Sequence, residues 1–384
     1  MWKLIKNKPK ELPPSLIKIK KELKKKSKFK WKNRQTILSR EEQDIVNKIS
    51  LKTSRLNANN VTRTQAYLDF YLHHPEVHWA FLGHMVSRNG GWNMTDLKGS
   101  LLSRILSKNE AVSYYTFLER GNWLIFQDAY PQFLLYEESL KRKVNLFHLL
   151  QQFHVSTFME TIWNHFWNTH LNPYTLTVAL VINEQSYLEM RVIDHKNFQK
   201  EVFHTLEFKL QDFLSLNHIL FPYGINGKVE LIGQTLHDFE NLHERILLGK
   251  RLYSLLFSKE TRLKMAEKWA KKVPHTGSRK DYWPSIFNDI DEGVPGSLFK
   301  PRLKDCKIVR GAPRFYSPQL ETVWPNQDHQ IAEFGDWFND WRIVYYLLGS
   351  LEEDVDGEIE DDYCKTLERL ELAVNTKKAI SFLE

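Results

Sequence analysis

Cysteine is scarce in this chain of 384 residues, which has only two, Cys306 and Cys364. Because they lie far apart in the sequence, a dense disulfide framework and a CxxC redox pair are both excluded. Two isolated thiols are typical of a reducing compartment. The residues that follow Met1 lack the continuous apolar run of a signal peptide. We therefore predict a cytoplasmic protein, with peripheral binding at a membrane as a variant of that location.

Long hydrophobic runs and catalytic sequence motifs are also missing. No stretch of about twenty apolar residues occurs, so no transmembrane helix is predicted. The chain has no Walker A, dinucleotide-binding, HExxH or GxSxG motif and no internal repeat. Alternating runs typical of strands are absent. The expected fold is mainly α, a multi-helix globular domain with a proline-rich, loop-dominated segment near the C-terminus. One of its helices is expected at Phe198–Leu220.

The net charge of +7 is concentrated at the N-terminus. Residues 1–34 carry +12, from thirteen lysines and one arginine against two glutamates, which leaves −5 for the other 350 residues. Leu16, Ile19 and Leu23 recur at helical spacing among these lysines. Such a basic arm can lie on an anionic membrane surface, bind nucleic acid or dock on an acidic partner. A solvated, partly disordered tail is the alternative.

Composition divides the rest of the chain. Residues 35–348 are expected to form the helical domain. Its proline-rich loop region, 274–325, holds seven of the fourteen prolines and should be mostly loop. An acidic linker is expected at 349–362 and a C-terminal helix at 363–384.

The most informative stretch, Val61–Ser100, is expected to form three helices. Pro75 suits the first turn of the second helix because its missing N–H would be unpaired there. Residues 89–91, with the sequence Asn-Gly-Gly, can end that helix because asparagine and glycine tolerate the left-handed conformation. A third helix is then expected to begin at Asn93 or Thr95.

The second of these helices combines two features that conflict. It is apolar on every side, which is typical of a buried helix, yet it carries two histidines and an arginine. A buried polar group needs a partner, so protein, metal or substrate must satisfy these side chains. An aspartate opens the next helix, and another lies in an apolar run after an expected break at Gly121–Asn122. The candidate catalytic residues are His78, His84, Arg88, Asp96 and Asp128.

His74, Glu76 and His78 form the candidate site for a divalent metal. His74 and His78 are four residues apart, a spacing that can place two imidazoles on one metal ion, and Glu76 can serve as a third ligand or as a base. Against this, Pro75 puts His74 at a helix boundary, and His78 and His84 lie about 120° apart around the helix. Satisfied core histidines and metal-free acid–base or anion-binding chemistry are the alternatives.

The proline-rich region opens with a second group of polar residues. His275, Thr276, Ser278 and Arg279 are closely spaced hydrogen-bond donors, and a turn of this kind can cradle an anion. Their spacing differs from that of a phosphate-binding loop. A long loop over a core can also form the wall of an active site. These four are the candidate ligand-binding residues.

Four segments are familiar as a set. They are NVTRTQAYLDFYLHHPEVHWAFLGHMVSRNGGWNMTDLKG from Asn60, GNWLIFQDAYPQFLLYE from Gly121, VPHTGSRKDYWP from Val273 and RGAPRFYSPQLETVW from Arg310. Together they resemble the YppC-like bacterial family, a domain of unknown function, from about Asn60 to Trp341. The resemblance implies a bacterial, intracellular protein. It supplies no catalytic residues.

Three kinds of function stay open. The polar cluster can be the metal or small-molecule site of an unassigned enzyme. The protein can instead be a non-enzymatic membrane-surface or scaffolding protein that works through residues 1–34. Nucleic-acid binding through the same arm is the third alternative.

Overall fold

The computed structural model describes residues 12–28, 37–169, 171–193, 218–225, 228–236, 238–293 and 301–381. The fold is mainly α, as the sequence predicts. The α-helices of the described residues are α1 Pro14–Lys26, α2 Arg40–Leu56, α3 Asn60–His73, α4 His78–Asp96, α5 Leu102–Ile105, α6 Lys108–Arg142, α7 Thr157–Thr169, α8 Pro173–Leu188, α9 Leu242–Phe257, α10 Glu260–Lys272, α11 Leu320–Val323 and α12 Glu360–Ser381. Shorter 3-10 helices lie at Phe147–Phe153, Arg279–Asp281 and Trp341–Leu347, and a π-helix lies at Glu189–Ile193.

The strands form three small sheets. The largest is an antiparallel hairpin of β1 (His218–Ile225) and β2 (Lys228–Thr235). Four two-residue strands make the other sheets, β3 Phe287–Asn288 with β6 Phe315–Tyr316 and β4 Leu303–Lys304 with β5 Lys307–Ile308. The sequence did not predict this hairpin, because its strands lack a regular alternation of apolar and polar residues. The consecutive residues Leu220 and Phe221, for example, are both buried. The helix expected at Phe198–Leu220 lies outside the described residues except for its last three, which belong to β1.

Helix α4 is buried, as its apolar surface predicts. Helices α3, α6, α8 and α9 and strand β1 all pack against it. The side-chain amide of Asn89 holds β1 in place: its Oδ1 accepts from the backbone N–H of Leu220 over 2.8 Å, and its Nδ2 donates to the carbonyl of the same residue over 2.9 Å. These two bonds replace a strand partner for this part of the hairpin.

The predicted helix end at residues 89–91 is wrong, because α4 continues to Asp96. Glycine is needed at position 91 because other side chains approach its Cα closely, and not because the backbone is left-handed there. A Cβ at this position would lie 2.4 Å from Oδ1 of Asn60 and 2.6 Å from Nε2 of His275. The third helix that was expected to begin at Asn93 or Thr95 is likewise absent from this stretch, where both residues belong to α4.

The predicted break at Gly121–Asn122 is also wrong, because α6 runs through both residues. The helix opens with a capping box between Ser107 and Glu110 and is capped at its C-terminus by Lys143, which has a left-handed conformation with φ of 58°. The amide of Asn122 donates to the carbonyl of Leu118, one turn earlier, over 2.8 Å. A side chain bonded in this way fits inside a helix and does not end it.

The basic arm contains a helix that packs on the rest of the fold. Helix α1 lies against α7 and the Trp341–Leu347 turn. Nζ of Lys20 donates to the hydroxyl of Tyr345 over 3.1 Å, and Nζ of Lys26 lies 3.5 Å from the carboxylate of Glu160. The parts of the arm at 1–11 and 29–34 lie outside the described residues. The side chains buried by this packing are the three at helical spacing, Leu16, Ile19 and Leu23.

Cys306 and Cys364 form a disulfide, with Cα atoms 5.5 Å apart. The bond joins the turn between β4 and β5 to the N-terminal part of α12. The expectation of two isolated thiols is therefore wrong, because a separation of 58 residues in sequence says nothing about distance in the fold. With the cysteines paired, their number no longer argues for a reducing compartment.

The acidic segment at 349–362 adds to the edge of the hairpin. The N–H of Gly233 donates to the carbonyl of Gly357 over 3.1 Å, and Glu358 forms a β-bridge with Ile232. Helix α12 begins at Glu360, three residues before the start that the sequence predicts. None of the described helices combines the length and the apolar character that crossing a bilayer requires.

Candidate functional site

The predicted catalytic histidines both hydrogen-bond to protein groups. Nδ1 of His78 lies 2.7 Å from the hydroxyl of Tyr253, and its ring stacks on Phe257 with centroids 4.2 Å apart. Nδ1 of His84 lies 2.8 Å from the carbonyl oxygen of Thr64, so Nδ1 carries the proton and donates it. Burial lowers the pKa of His78 to about 4 and that of His84 to about 3. Both rings are therefore neutral near pH 7.

Arg88 connects α4 to the start of the proline-rich region. Its guanidinium donates to the carbonyl oxygens of Val273 and Pro274 over 2.9 and 3.0 Å. It also lies 4.4 Å from the centre of the Trp269 ring. Backbone and aromatic groups of the protein thus surround this cation, and it positions the loop that follows.

The structure brings Asp96 together with Arg279, which the sequence had placed in separate groups. They form a buried ion pair between α4 and the loop, and the hydroxyl of Tyr363 on α12 bonds to the same guanidinium. His275 faces α3, where its Nε2 lies 2.7 Å from Oδ1 of Asn60 and donates to it. Burial lowers the pKa of His275, so this ring is neutral too.

Thr276 and Ser278 also direct their donors at protein acceptors. The amide and hydroxyl of Thr276 donate to the carboxylate of Asp281 over 2.7 and 2.9 Å. The hydroxyl of Ser278 donates to the carbonyl of Ser317. The four candidate ligand-binding residues therefore hold the loop on the fold, and anion binding by them stays a prediction.

Two of the three candidate metal ligands lie together, and the third turns away from them. Nδ1 of His74 lies 3.6 Å from Oε1 of Glu76, and that same oxygen accepts from the hydroxyl of Tyr136 over 2.8 Å. His78 turns to Tyr253 instead. In the part of the chain that the structure describes, no group of three or more His, Cys, Asp or Glu side chains is placed to hold a metal ion. Metal binding stays a prediction from the sequence.

Asp128 lies in a packed polar cluster between α6 and α8. Its Oδ2 accepts from Nε2 of Gln132 over 2.9 Å and from Nδ2 of Asn183 over 2.5 Å. Oδ1 of Asn183 in turn accepts from the Trp337 indole over 2.9 Å and from the Ser156 hydroxyl over 2.7 Å. Burial raises the pKa of Asp128 to about 7. This cluster joins helices of the core.

A cavity of about 260 Å³ lies between α3, α4, α6, α8, α9 and the β1–β2 hairpin. An apolar cavity of about 150 Å³ is large enough for benzene, so a larger molecule fits here. The predicted site residues, all of them described, lie outside its wall. Aliphatic side chains make up much of the wall, together with the aromatic side chains Tyr67, Trp79, Phe117 and Phe239.

Two cationic side chains reach this wall, and each already has an anionic partner. Nη2 of Arg63 lies 2.5 Å from a carboxylate oxygen of Glu119. Arg245 forms an ion pair with Glu189. Nε of Arg245 also donates to Oε1 of Gln185 over 2.9 Å. The positive charges at the cavity are therefore balanced within the protein.

Glu184 of α8 contributes a carboxyl group to the wall, and unlike the two arginines it has no partner of opposite charge among the described residues. Its Oε1 accepts from Nε2 of Gln185 over 2.9 Å, and the indole of Trp79 also hydrogen-bonds to it. Burial raises the pKa of Glu184 to about 7, and the negative charge of Asp128 adds to this rise. Glu184 is half-buried and contributes to the cavity wall.

The sequence contained the signal that identifies Glu184. Helix α8 is buried along nearly its whole length, from Tyr174 to Asn183 and again at Ser186 and Tyr187. A charged residue in a helix that is apolar on every side is the same conflict that singled out α4. What the sequence could not show is the cavity, because helices, a strand and connecting segments from different parts of the chain form its wall together.

Comparison with known proteins places this fold in a family. Residues 55–348, which include every residue of the cavity wall, match the family described as "Protein of unknown function (DUF2515)". The chain is also 38% identical over 296 residues to a protein of Bacillus subtilis (strain 168) described as "Uncharacterized protein YppC", a match that covers 77% of this chain and 83% of the relative. No solved structure matches the chain significantly. The resemblance to the YppC-like family is confirmed, and the chain belongs to the DUF2515 family.

Proposed function

We propose that this protein binds a small, mostly apolar molecule in the cavity between α4, α6, α8 and α9. The observation that carries the proposal is the cavity itself. Ligand-binding sites are typically concave and mostly apolar, with a few polar groups that orient the ligand. Aliphatic and aromatic side chains give the wall of this cavity the same character. Burying apolar surface of the wall and of a ligand is favourable by roughly 25 cal/mol per Å², and close contact adds van der Waals attraction.

The other candidate sites support binding less well. The histidines and the arginine of α4 and the donors of the 275–279 turn are bonded to protein groups, as described above. The apolar face of α1 is covered by α7 and the Trp341–Leu347 turn. A membrane-inserting arm needs that face exposed, so α1 would first have to leave its place. Its lysines at 18, 21, 24 and 25 are exposed and leave an anionic partner as the lesser candidate.

Gly121 offers a direct way to fill the cavity. It lies in α6 at the cavity wall, and a Cβ added there meets only Cδ2 of Leu188, at 4.0 Å. A larger side chain can therefore extend into the open space without moving the backbone. Gly121→Phe should occupy the cavity. Gly121→Ala adds one methyl group and is the matched control.

Calorimetric titration with the neutral probes indole and toluene tests the proposal. We expect both to bind the wild type and Gly121→Ala and neither to bind Gly121→Phe. Native mass spectrometry of the freshly purified wild type should also show a bound small molecule that Gly121→Phe lacks. Equal binding of indole to the wild type and to Gly121→Phe, or no binding of either probe to any of the three, would contradict the proposal.

A further inference from the structure

We infer that the ligand of this cavity carries a cationic nitrogen, which the carboxylate of Glu184 and the aromatic wall recognise, attached to an apolar body. The inference rests on the proposed function and adds the chemical class of the ligand. Three independent features of the cavity support it: the balance of charges, the partners of Glu184 and the aromatic rings.

Among the described residues of the cavity wall, the balance of charges leaves one negative group without a cation. Arg63 is paired with Glu119, and Arg245 is paired with Glu189. Glu184 has neutral partners among the described residues. A charge in a low-dielectric interior is stabilised mainly by an opposite charge, and neutral donors supply only part of that stabilisation. A cationic ligand supplies the missing charge.

The partners of Glu184 leave it able to accept more bonds. An ionised carboxylate has about four lone-pair sites on its two oxygens. Gln185 donates one hydrogen bond to Oε1, and the Trp79 indole donates another. Gln185 is itself held by Nε of Arg245, which fixes the amide so that it donates to the carboxylate. The group is thus oriented in advance, and Glu184 contributes to the cavity wall.

The aromatic rings in the wall favour the same ligand. Tyr67, Trp79, Phe117 and Phe239 all border the space. The faces of aromatic rings attract cations, and carboxylates combined with aromatic walls are suited to amines. An anionic ligand would instead meet the charge of Glu184 without a free cation among the described residues of the wall to offset it.

Three probes of nearly equal shape test the inference: tryptamine, tryptophol and indole-3-acetate, which end in an amine, an alcohol and a carboxylate. We expect calorimetry at pH 8 to show that tryptamine binds the wild type at least about tenfold more tightly than tryptophol, the gain typical of a hydrogen bond to a charged group. Indole-3-acetate should not bind measurably.

Glu184→Gln keeps the shape of the side chain and removes its charge. In this variant we expect tryptamine and tryptophol to bind within about twofold of each other, with tryptophol unchanged from the wild type. Gly121→Phe should abolish binding of both. The comparison of amine and alcohol on the wild type decides the question even if Glu184→Gln does not fold.

The outcomes separate the two proposals. If tryptophol binds in a manner that Gly121→Phe abolishes and tryptamine binds no more tightly, the cationic ligand is refuted while the cavity remains a binding site. If tryptophol, indole and toluene all fail to bind, or bind Gly121→Phe as well as the wild type, the proposed function fails and the inference fails with it.

Discussion

Two buried carboxyl groups, Asp128 and Glu184, have pKa values raised to about 7 by the same cause, their burial. Their surroundings differ. Asp128 accepts hydrogen bonds from Gln132 and Asn183 inside a packed cluster. Glu184 is half-buried and contributes to the cavity wall. We therefore expect Asp128 to affect stability and Glu184 to affect ligand binding, and both effects should depend on pH.

Asp128→Asn should raise the free energy of unfolding at pH 8 more than at pH 5. The carboxyl holds its proton more tightly in the folded state, where its pKa is about 7, than in the unfolded chain, where the ordinary value is about 3.9. Its contribution to stability is full below pH 4 and is lost as pH rises through 7. Asparagine keeps the shape without ionising, so we expect a difference on the order of 1–3 kcal/mol between the two pH values. Urea unfolding at pH 5 and 8 measures this, and equal effects at both would contradict it.

Tryptamine should bind the wild type up to about tenfold more tightly at pH 8 than at pH 6, because Glu184 ionises through about pH 7 while the amine stays protonated. Among the described residues, Tyr67 from α3 and Asp128 from α6 are the titratable groups that interact electrostatically with Glu184, and Gln185 links it to the charge of Arg245 from α9. Tyr67 stays neutral because burial raises its pKa.

Asp128 titrates in the same range as Glu184, so a control must remove its influence from the pH profile. Glu184→Gln retains Asp128 and serves this purpose, because any slope that it shows belongs to groups other than Glu184. Calorimetric titrations from pH 6 to 8 on both proteins give the comparison. Parallel profiles in the wild type and the variant would show that Glu184 does not contact the amine.

At the scale of the helix, we expect replacement of glycine by alanine to have opposite effects on stability at Gly91 in α4 and at Gly121 in α6. Gly91→Ala should lower the free energy of unfolding by about 1–3 kcal/mol, since its methyl group would press on Asn60 and His275. Gly121→Ala should raise it by up to about 1 kcal/mol, because alanine restricts the unfolded chain and meets open space in the fold. Chemical denaturation of both variants beside the wild type tests the pair. A loss of stability in Gly121→Ala would contradict the cavity at that position.

The elements show what a sequence can and cannot predict here. Periodicity identified α4 as a buried helix and gave α1 its buried face, because both depend on local spacing. The breaks expected at residues 89–91 and at Gly121–Asn122 were wrong, because glycine also serves close packing and cavity walls inside helices. Local propensity is a weak guide where tertiary contacts decide.

The candidate site shows the same division. Of the three polar side chains that the sequence placed on the buried helix α4, His84 and Arg88 are buried and His78 is half-buried. Their partners could not be predicted, because Thr64, Val273 and Tyr253 are brought to them by tertiary packing. A cavity is space left by several elements, and no single stretch of sequence encodes it.

At the scale of the whole molecule, the disulfide joins two regions that are distant in sequence. Reduction should lower the free energy of unfolding by roughly 3–4 kcal/mol, because the bond between Cys306 and Cys364 closes a loop of 58 residues in the unfolded chain. Other contacts keep α12 in place without it. Glu371 forms an ion pair with Arg302 over 3.2 Å, and Tyr363 bonds to a guanidinium of the loop. We therefore expect the reduced protein to remain folded.

Urea unfolding with and without reductant measures the effect of the disulfide. The matched control is Cys306→Ser/Cys364→Ser, whose unfolding midpoint should equal that of the reduced wild type and should not respond to reductant. Neither cysteine belongs to the cavity wall, which α3, α4, α6, α8, α9 and β1 contribute to. We therefore expect tryptophol binding to survive reduction. If reductant leaves the wild-type midpoint unchanged, or thiol titration of the protein purified without reductant finds both cysteines free, the disulfide does not stabilise the protein in solution. In that case, the contacts of Tyr363 and Glu371 would be sufficient to hold α12 in place.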